Sequence, residues 1–382
     1  MIFKLLKQYQ YKKVPFRLLL YVIVLNLIGI AVIGSARASL KQTQIQGMIL
    51  GLAAMLIVAL IDYSLYMHLQ WLIYAGNLTL LLLVKYSPLG DSGLGAQRWL
   101  ELGGFRFQPS EVSKLCIILF FAWFFGKYHE KVNSFWTILA AGVLIFIPWF
   151  LILKQPDLST SIVTALLFLS MIFLAELSYK IILPVLAVIV PAGAIFIALI
   201  LQPDQKILEG FQYNRIMAWL QPTNPKYAHT AYQQQNSIMA IGSGQLWGKG
   251  LNNDSVYSVK NGNYLPEPQT DFIFSVAGEE LGFVGAVIIL VLLLLIVLEC
   301  IMIGRRAKDL QGRLICGGVA ALIGFQAVIN LCVVTGLLPN TGLTLPFVSY
   351  GLTSLVSLYI AIGLVVNVAI QPNKYRRRDG IL

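Results

Sequence analysis

The chain carries few charged residues for its length. Asp, Glu, Lys and Arg make up only 12% of its 382 residues, while 58% are hydrophobic and the mean hydropathy is +0.76. Soluble domains carry roughly 25% charged residues, and a soluble core could not bury this much apolar surface. The composition therefore excludes an ordinary soluble domain. It predicts an all-α polytopic membrane protein, because helices satisfy their own backbone hydrogen bonds in lipid.

Cysteine and histidine are also scarce, and neither forms a paired motif. Four cysteines lie in or beside apolar runs, where packing is their predicted role: Cys116, Cys300, Cys316 and Cys332. The three histidines are too scattered for a His-based metal site: His68, His129 and His229. The sequence shows no obvious metal-binding motif.

Acidic residues are outnumbered by basic ones, 17 against 28, which gives a net charge of +11. Nucleic-acid binding would need a basic surface on a folded soluble domain, and the sequence predicts no such domain. Topology explains the excess better, since Lys and Arg stay on the cytoplasmic side of membrane proteins. With the N-terminus inside, 16 Lys and Arg fall on inner segments and seven on the short outer ones. Both termini are therefore predicted to be cytoplasmic.

Ten apolar segments predict about ten transmembrane helices in a single membrane domain over residues 1–382. They span 17–36, 45–63, 69–84, 112–127, 135–153, 160–177, 181–201, 281–303, 314–335 and 346–370. The first segment follows Lys12, Lys13 and Arg17 as a signal peptide would, but it is longer than an h-region of roughly 7–15 residues. An uncleaved first helix is therefore expected.

Three predicted outer segments are rich in polar residues, glycine or proline: 85–111, 202–270 and 336–345. The large extracytoplasmic loop 202–270 lies between the seventh and eighth helices, and loops beyond about 12–15 residues are usually functional or disordered. Helical spacing over 207–220 predicts a helix on the outer membrane surface, and 231–241 predicts a second one. The segment 336–345 predicts a re-entrant turn beside a cavity, since irregular backbone at membrane depth needs protein or water around it.

A cluster of charges lies at the start of the fourth apolar segment. Glu111 and Lys114 are three residues apart, so on a helix they share a face. One interpretation is a structural ion pair that lets two charges enter the membrane together. The other is a polar cavity in which Lys114 or Arg98 faces an anion, because arginine grips phosphate oxygens with two donors and lysine acts as a point charge.

Two aspartates stand at predicted helix starts. Asp157 follows Gln155 and Pro156, and its simple interpretation is an N-cap worth roughly 1 kcal/mol. Asp271 follows Thr270 and also has a cap interpretation, since a helix N-terminus favours a carboxylate. An ionised acid beside a water-accessible cleft can instead accept a proton from an attacking hydroxyl, as a general base. Asp271 lies at the membrane boundary, where a charged group is a site candidate.

Glu279 and Glu280 follow Asp271 closely and precede Gly282. Two carboxylates deep in lipid would be costly, so 271–280 is expected to be a short outer helix with the membrane span after it. The simplest expectation for the two glutamates is a structural one: a position on the outer surface or a pairing with the loop.

The motifs, in their order, resemble those of the SEDS family, the RodA, FtsW and SpoVE group of bacterial cell-wall polymerases, over nearly the whole chain. The matching segments are Gly95-Ala96-Gln97-Arg98-Trp99, Gln108 to Lys114, Gln155 to Leu158, Ile241 to Gly250, Leu265-Pro266-Glu267, Thr270 to Phe274, and Asn330 to Gly351. Asn214-Arg215-Ile216 looks most like the RodA branch. Three positions depart from the family pattern: Ser159 and Leu352 stand where glycine is common, and Asn340 where an apolar residue, Pro or Thr is usual.

The resemblance implies a peptidoglycan glycosyltransferase that polymerises lipid II on the outer face of the bacterial cytoplasmic membrane. Asp271 matches the family's essential acid and would be the catalytic base. Substrate-binding roles are implied for Arg98, Gln108, Glu111, Lys114, Asp157, Arg215, Lys249 and Ser349, with the cations near the pyrophosphate. The resemblance also implies a divalent cation (Mg²⁺ or Mn²⁺), no organic cofactor, and a class B penicillin-binding protein, a transpeptidase, as partner beside other elongation or division proteins.

Three other functions stay open from the residues alone. A lipid II flippase would use an intramembrane Glu–Lys pair and a polar cavity, although no inverted repeat is visible. A noncatalytic scaffold of the elongation or division machinery would tolerate loss of the Asp271 charge. A ligase acting on another polyprenyl-linked sugar would differ only in its substrate.

Overall fold

The fold is a bundle of long helices with a small sheet at one end. The computed structural model describes residues 9–87, 90–91, 98–102, 105–155, 157–202, 210–253, 258, 262, 265 and 267–371. The α-helices are α1 (Phe16–Ala36), α2 (Ala38–Leu60), α3 (Tyr63–His68), α4 (Gln70–Tyr86), α5 (Pro109–Lys127), α6 (Phe135–Leu153), α7 (Leu158–Leu174), α8 (Tyr179–Ile200), α9 (Gly210–Leu220), α10 (Ala228–Ser243), α11 (Ile273–Arg305), α12 (Leu310–Val334) and α13 (Leu352–Ile370). Strands β1 (Gly90–Asp91), β2 (Trp99–Leu102) and β3 (Phe105–Phe107) form one antiparallel sheet in that order.

Ten of the described helices coincide with the ten apolar segments of the sequence, in agreement with the predicted all-α polytopic class. Seven of them are long and apolar enough to cross a bilayer: α1, α2, α5, α6, α11, α12 and α13. Helix α7 is apolar but shorter, with 17 residues. The number of ten membrane spans therefore stays a prediction.

The starts of α2 and α13 differ from the prediction by a full helical turn or more. Helix α2 begins at Ala38 rather than at 45, because its polar residues find partners inside the bundle. Gln44 donates from Nε2 to the Ser349 carbonyl oxygen over 3.3 Å, for example. Helix α13 begins at Leu352 rather than at 346, because 346–351 forms a largely buried, non-helical segment.

Glycines allow this segment and the central helices to approach one another closely. A methyl group at Gly29 on α1 would begin 2.8 Å from the Val348 Cα atom. One at Gly363 on α13 would begin 2.7 Å from the Met55 carbonyl oxygen on α2. Small residues at helix interfaces are typical of membrane bundles, where close packing substitutes for a hydrophobic driving force between helices.

Helix α11 is broken at Gly282, whose φ of 66° and ψ of −166° are non-helical. The break separates a helical segment, 273–281, from the long apolar remainder. This confirms the predicted short helix ahead of the membrane span, although it starts two residues later. The exposed outer-surface position expected for Glu279 and Glu280 was wrong, because each is only 1% exposed. The other expectation, pairing with the loop, is met by Glu279, which pairs with Lys249, whereas Glu280 accepts a hydrogen bond from Ser35 on α1.

The long loop contains two helices, as predicted. Their spans, α9 (Gly210–Leu220) and α10 (Ala228–Ser243), cover the expected positions, except that the predicted start at 207 lies outside the described residues. Helix α10 is tied to the end of α12: Gln234 Nε2 donates to the Val333 carbonyl oxygen, and Ser237 Oγ donates to that of Val334, both over 2.7 Å. The loop therefore packs on the end of the bundle where α11 begins, which is called the site end below.

Candidate active site

Asp271 lies at the site end, immediately before α11, and its backbone is held by buried side chains. Asn330 on α12 donates from Nδ2 to the Asp271 carbonyl oxygen over 2.8 Å and to the Leu343 carbonyl oxygen over 2.6 Å. Ser349 donates from Oγ to the neighbouring Thr270 carbonyl oxygen over 2.6 Å. Hydrogen bonds between buried groups rigidify the parts they join, so these contacts hold Asp271 against the 336–351 loop.

Gly342 in that loop gives the acid and an arginine room to approach the same point. Its φ is +76°, which side chains other than glycine rarely adopt. A methyl group here would begin 3.3 Å from Asp271 Oδ2 and 3.5 Å from Arg215 Nη1. Arg215, on α9, also donates from Nη1 to the Asn340 carbonyl oxygen over 3.5 Å, a long hydrogen bond. The Gly342 backbone, which has no side chain, therefore lies against both the Asp271 carboxylate and the Arg215 guanidinium and forms the floor of the site.

A small cleft opens beside Gly342. Two of its lining residues are arginines from distant parts of the chain, Arg98 ahead of β2 and Arg215 on α9. The full lining is Arg98, Leu158, Gln212, Arg215, Ile216, Pro339, Asn340 and Thr341. Two guanidinium groups around one cleft suit an anion with several oxygens, because each group can donate two parallel hydrogen bonds.

The electrostatics of the site set Asp271 apart. Burial raises the pKa of its carboxyl to about 6, although the positive charges of Arg215 and Arg98 act in the opposite direction. Burial also lowers the pKa of Arg215, which the charge of Asp271 partly offsets. Within the part of the chain that the structure describes, no residue donates a hydrogen bond to the Asp271 carboxylate. A base with this pKa and with unused acceptor sites can take a proton.

Asp157 is bonded quite differently. Its Oδ1 accepts from the Thr160 backbone N–H over 3.1 Å and lies 3.2 Å from Ser159 Oγ, so it caps α7 as the sequence predicts. Its Oδ2 accepts from Gln108 Nε2 over 3.2 Å and from Ser110 Oγ over 3.5 Å. Both oxygens therefore join the start of α7 to the start of α5.

The side chains at the three departures from the family pattern all make contacts within the fold. Ser159 donates from Oγ to the Thr341 carbonyl oxygen over 2.7 Å. The Asn340 side chain accepts from the Gly342 N–H over 3.1 Å and donates to Gln233 Oε1 over 3.2 Å. Leu352 packs against Gly47 on α2. Each side chain thus uses space that a glycine would leave open.

Glu111 and Lys114 form the predicted pair on one face of α5. Lys114 Nζ lies 2.7 Å from Glu111 Oε1, and the two side chains are 1% and 6% exposed. Neither residue is among those that line the cleft. The structure therefore contains the ion pair of the first interpretation, deep in the bundle, with the cation held in place by its partner.

Lys249 also has an acidic partner. Its Nζ lies 2.7 Å from Glu279 Oε1, and Lys249 does not line the cleft. Of the sequence-predicted residues, the structure brings Arg98, Arg215 and Asp271 together around one site. It places Asp157 and Gln108 behind the cleft wall and Ser349 under the backbone of Thr270.

Two residues of the site had no role assigned from the sequence. Asn330 is a buried amide on α12, one turn after the buried amide Gln326, and polar side chains within this largely apolar stretch are the signal that could have marked it. Gln212 lies three residues before Arg215 on α9 and lines the cleft with it. Its helical spacing from Arg215 could have suggested a shared face.

The described residues do not form a protein-built metal site. They contain no group of three or more His, Cys, Asp or Glu side chains placed to hold an ion. Near the cleft, both oxygens of Asp157 already accept hydrogen bonds from protein donors. The donor set therefore does not fit a resident metal ion held by the protein alone.

Fold and site together define a class: a multi-pass helical membrane protein with a half-buried acid next to two arginines that line a cleft at one end of its bundle. A family model described as cell cycle protein, grouping FtsW, RodA and SpoVE, matches residues 14–374. The chain belongs to this family, which confirms the resemblance found in the sequence.

Relatives from both the FtsW and RodA branches are similar to the chain. The probable peptidoglycan glycosyltransferase FtsW of Geobacter metallireducens is 37% identical over 327 residues, covering 84% of this chain and 82% of the relative. The peptidoglycan glycosyltransferase MrdB of Escherichia coli is 35% identical over 354 residues and 92% of each chain.

Solved structures have the same fold. The rod shape determining protein RodA of Thermus thermophilus matches with a TM-score of 0.67 and 28% identity, over 93% of this chain and 96% of that one. A chain from a peptidoglycan synthase complex, studied for the coordination of polymerization and crosslinking, matches with a TM-score of 0.74 and 28% identity, over 93% and 97%.

Proposed function

We propose that the protein is a peptidoglycan glycosyltransferase that polymerises lipid II into β-1,4-linked glycan strands. The observation that carries this proposal is the Asp271 carboxyl, which is half-buried beside Arg215 and Arg98 and accepts no hydrogen bond from a described residue. The names of relatives in both branches support the same activity. The site end faces the outside of the bacterial cytoplasmic membrane, and both termini are cytoplasmic.

In the proposed reaction, the 4-hydroxyl of an N-acetylglucosamine attacks the anomeric carbon of a lipid-linked N-acetylmuramic acid. Asp271 takes the proton of that hydroxyl as the new carbon–oxygen bond forms. The bond between the anomeric carbon and the pyrophosphate breaks, and undecaprenyl pyrophosphate leaves with the electron pair. A pKa of about 6 suits this step, because the carboxylate is mostly ionised at neutral pH yet more basic than an exposed aspartate.

Arg98 and Arg215 bind the pyrophosphate of the donor in this account. Negative charge grows on the leaving pyrophosphate oxygen in the transition state, and fixed cations already aimed at that oxygen stabilise it. The site is also partly closed to water, which strengthens charge–charge interactions. Lys114 and Glu111 support the start of α5 through their buried ion pair, outside the cleft lining.

The remaining residues position these groups. Asp157 and Gln108 join two helix starts at the back of the cleft, and Ser349 supports the backbone before Asp271. A divalent cation, Mg²⁺ or Mn²⁺, would add positive charge near the donor pyrophosphate if it came with the substrate, as Mg²⁺ commonly does with phosphates; the described residues form no protein cage for it. No organic cofactor is needed.

In the cell, the proposed role is synthesis of glycan for elongation and cell shape. A class B penicillin-binding protein would cross-link the strands, together with other elongation or division proteins. The structural match to a chain of a peptidoglycan synthase complex supports such a partner.

The test is polymerisation of purified lipid II by the purified protein and by its Asp271→Ala variant. Moenomycin suppresses contaminating polymerases of the other family. We expect polymer from the parent and none from the folded variant. Equal product from both would remove Asp271 as the base. No product from either, even with a cognate class B partner present, would shift the assignment to a flippase or scaffold.

A further inference from the structure

The break in helix α11 leaves two backbone donors without their usual acceptors. In a continuous helix, the N–H groups of Phe283 and Val284 would bond to carbonyls four residues earlier. Here they donate to the loop instead: Phe283 N to the Gln245 carbonyl oxygen over 2.8 Å, and Val284 N to that of Leu246 over 3.2 Å.

The two carbonyls released by the break are also taken up by the loop. The Glu279 carbonyl oxygen accepts from the Lys249 N–H over 2.9 Å, and the Glu280 carbonyl oxygen accepts from the Gly250 N–H over 3.0 Å. Loop residues 245–250, here called the splice segment, thus replace two helical hydrogen bonds with four new ones. Unpaired buried backbone groups are costly, so the broken helix depends on the splice segment.

Glycines make this insertion possible. Gly248 has a φ of +78° and Gly282 a φ of +66°. A methyl group on Gly248 would collide with the backbone of α11 near its break, and one on Gly282 would collide with the backbone of the splice segment. Gly244 lies in the same way against the backbone of Gly278. The loop segment and α11 therefore touch backbone to backbone, without side chains between them.

One ion pair closes the contact. Lys249 Nζ lies 2.7 Å from Glu279 Oε1, with the Glu279 side chain 1% exposed and that of Lys249 29% exposed. Ser258 Oγ lies 3.4 Å from Glu279 Oε2. The backbone bonds could form with other residues at these positions, but the charge pair requires a cation at 249 and an acid at 279.

The helical segment ahead of the break follows directly after Asp271. Helical segment 273–281 starts two residues after Asp271 and ends at the splice segment. Between these ends, Ser275 Oγ lies 2.5 Å from Ser237 Oγ on α10. A displacement at Glu279 would move a short, rigid helix whose other end carries the acid.

We propose that Lys249 and Glu279 are positioning residues for Asp271. Their ion pair locks the splice segment into α11 and so fixes the acid against Gly342 and Arg215. The inference rests on the proposed function for its kinetic consequences. It replaces the sequence expectation that Lys249 binds the pyrophosphate.

The test compares Lys249→Met with the double variant Lys249→Met/Glu279→Gln, and with Lys226→Met as a matched control for loss of an exposed loop lysine. We expect the single variant to lower kcat by about tenfold to a hundredfold, since small misplacements of reacting groups have effects of this size. The KM for lipid II stays nearly constant. The double variant recovers most of kcat, because it also removes the buried Glu279 charge that Lys249 balances in the parent.

Hydrogen exchange of peptides covering 270–284 provides a readout that needs no activity. We expect faster exchange in Lys249→Met than in the parent or the Lys226→Met control, and slower exchange again in the double variant. A raised KM in the single variant with no rescue in the double variant would place Lys249 on the substrate and overturn the proposal. Unchanged exchange would overturn it as well. An inactive parent with the expected exchange pattern would instead remove only the glycosyltransferase assignment.

Discussion

Two aspartates stand at helix starts at the same end of the bundle, and their surroundings give them different roles. At the start of α7, both oxygens of Asp157 accept hydrogen bonds from protein groups. Ahead of α11, the Asp271 carboxylate accepts none from the described residues, while its own backbone is held by Asn330. A carboxylate with its acceptor sites filled joins parts of the fold. One that is held only by its backbone keeps its oxygens available for substrate.

Asp271 also has the pKa of a usable base. Desolvation of its carboxyl raises the pKa to about 6, which places it nearer to the working range of a base. The same residue type therefore joins two helix starts in one case and is the proposed base in the other. Sequence position alone, a helix start in both cases, does not separate them.

The largest expected effect comes from Asp271→Asn, which keeps the shape and removes the base. We expect the rate of lipid II polymerisation to fall about a thousandfold, within the range for loss of a general base. A raised folded-state pKa means that the ionised form weakens folding above pH 6, whereas both states are protonated below pH 4. The variant should therefore match or exceed the parent's Tm at pH 7.5, with the difference shrinking at lower pH. A variant that keeps a tenth of the rate would contradict the assignment.

Arg215→Gln should have the next largest effect. Removing one fixed cation from the leaving group should slow turnover about a hundredfold, and Arg215→Lys should fall in between, because lysine cannot donate two parallel hydrogen bonds. Arg313→Gln is the matched control. Its ion pair with Glu176 is exposed, so its rate should equal that of the parent in the same polymerisation assay. Equal rates for the Arg215 and Arg313 variants would remove the arginine from the site.

Gly342→Ala tests the floor between the acid and the arginine. A methyl group would start 3.3 Å from Asp271 Oδ2 on a backbone with φ of +76°, so we expect strain of about 1 kcal/mol and a rate lowered about tenfold. Gly336→Ala shares the positive φ, at +81°, but meets the Ile238 side chain instead. Similar Tm losses with a rate defect in the first variant alone would support the geometry. Equal rates in both would argue against it.

Asp157→Ala should have the smallest effect on turnover and a clear effect on stability. It removes a helix cap and leaves buried donors unpaired, which we expect to lower the free energy of unfolding by about 2 kcal/mol. The rate of the folded fraction should change only a few-fold. Thermal unfolding and polymerisation, measured on the same preparation, separate the two. A large loss of rate at full stability would make Asp157 a second reactive acid.

Much of the architecture follows from the sequence, because membrane helices can be recognised from the length of their apolar segments. The charge of Glu279 and Glu280 even located the break near Gly282, since two acids could not enter lipid. The position of Asp271 at a helix start was also predictable.

Contacts between side chains from distant segments of the chain could not be predicted from the sequence. Lys249 and Glu279 are 30 residues apart, and their contact depends on backbone hydrogen bonds made possible by Gly248 and Gly282. Likewise, nothing in local spacing shows that four donors converge on Asp157 while Asp271 receives none. The distinction between the two acids arises only when α5, α7 and α12 are packed together.

The most direct test of the account is the pH dependence of kcat/KM for lipid II polymerisation by the parent and by Arg215→Gln. The parent should lose activity as the pH falls through about 6, because kcat/KM reports the base in the free enzyme. Arg215 lowers the pKa of Asp271, so the acidic limb should move to higher pH in the variant. A parent rate that stays constant from pH 5 to pH 8, or a limb that does not move, would contradict the claim that Asp271 is the base.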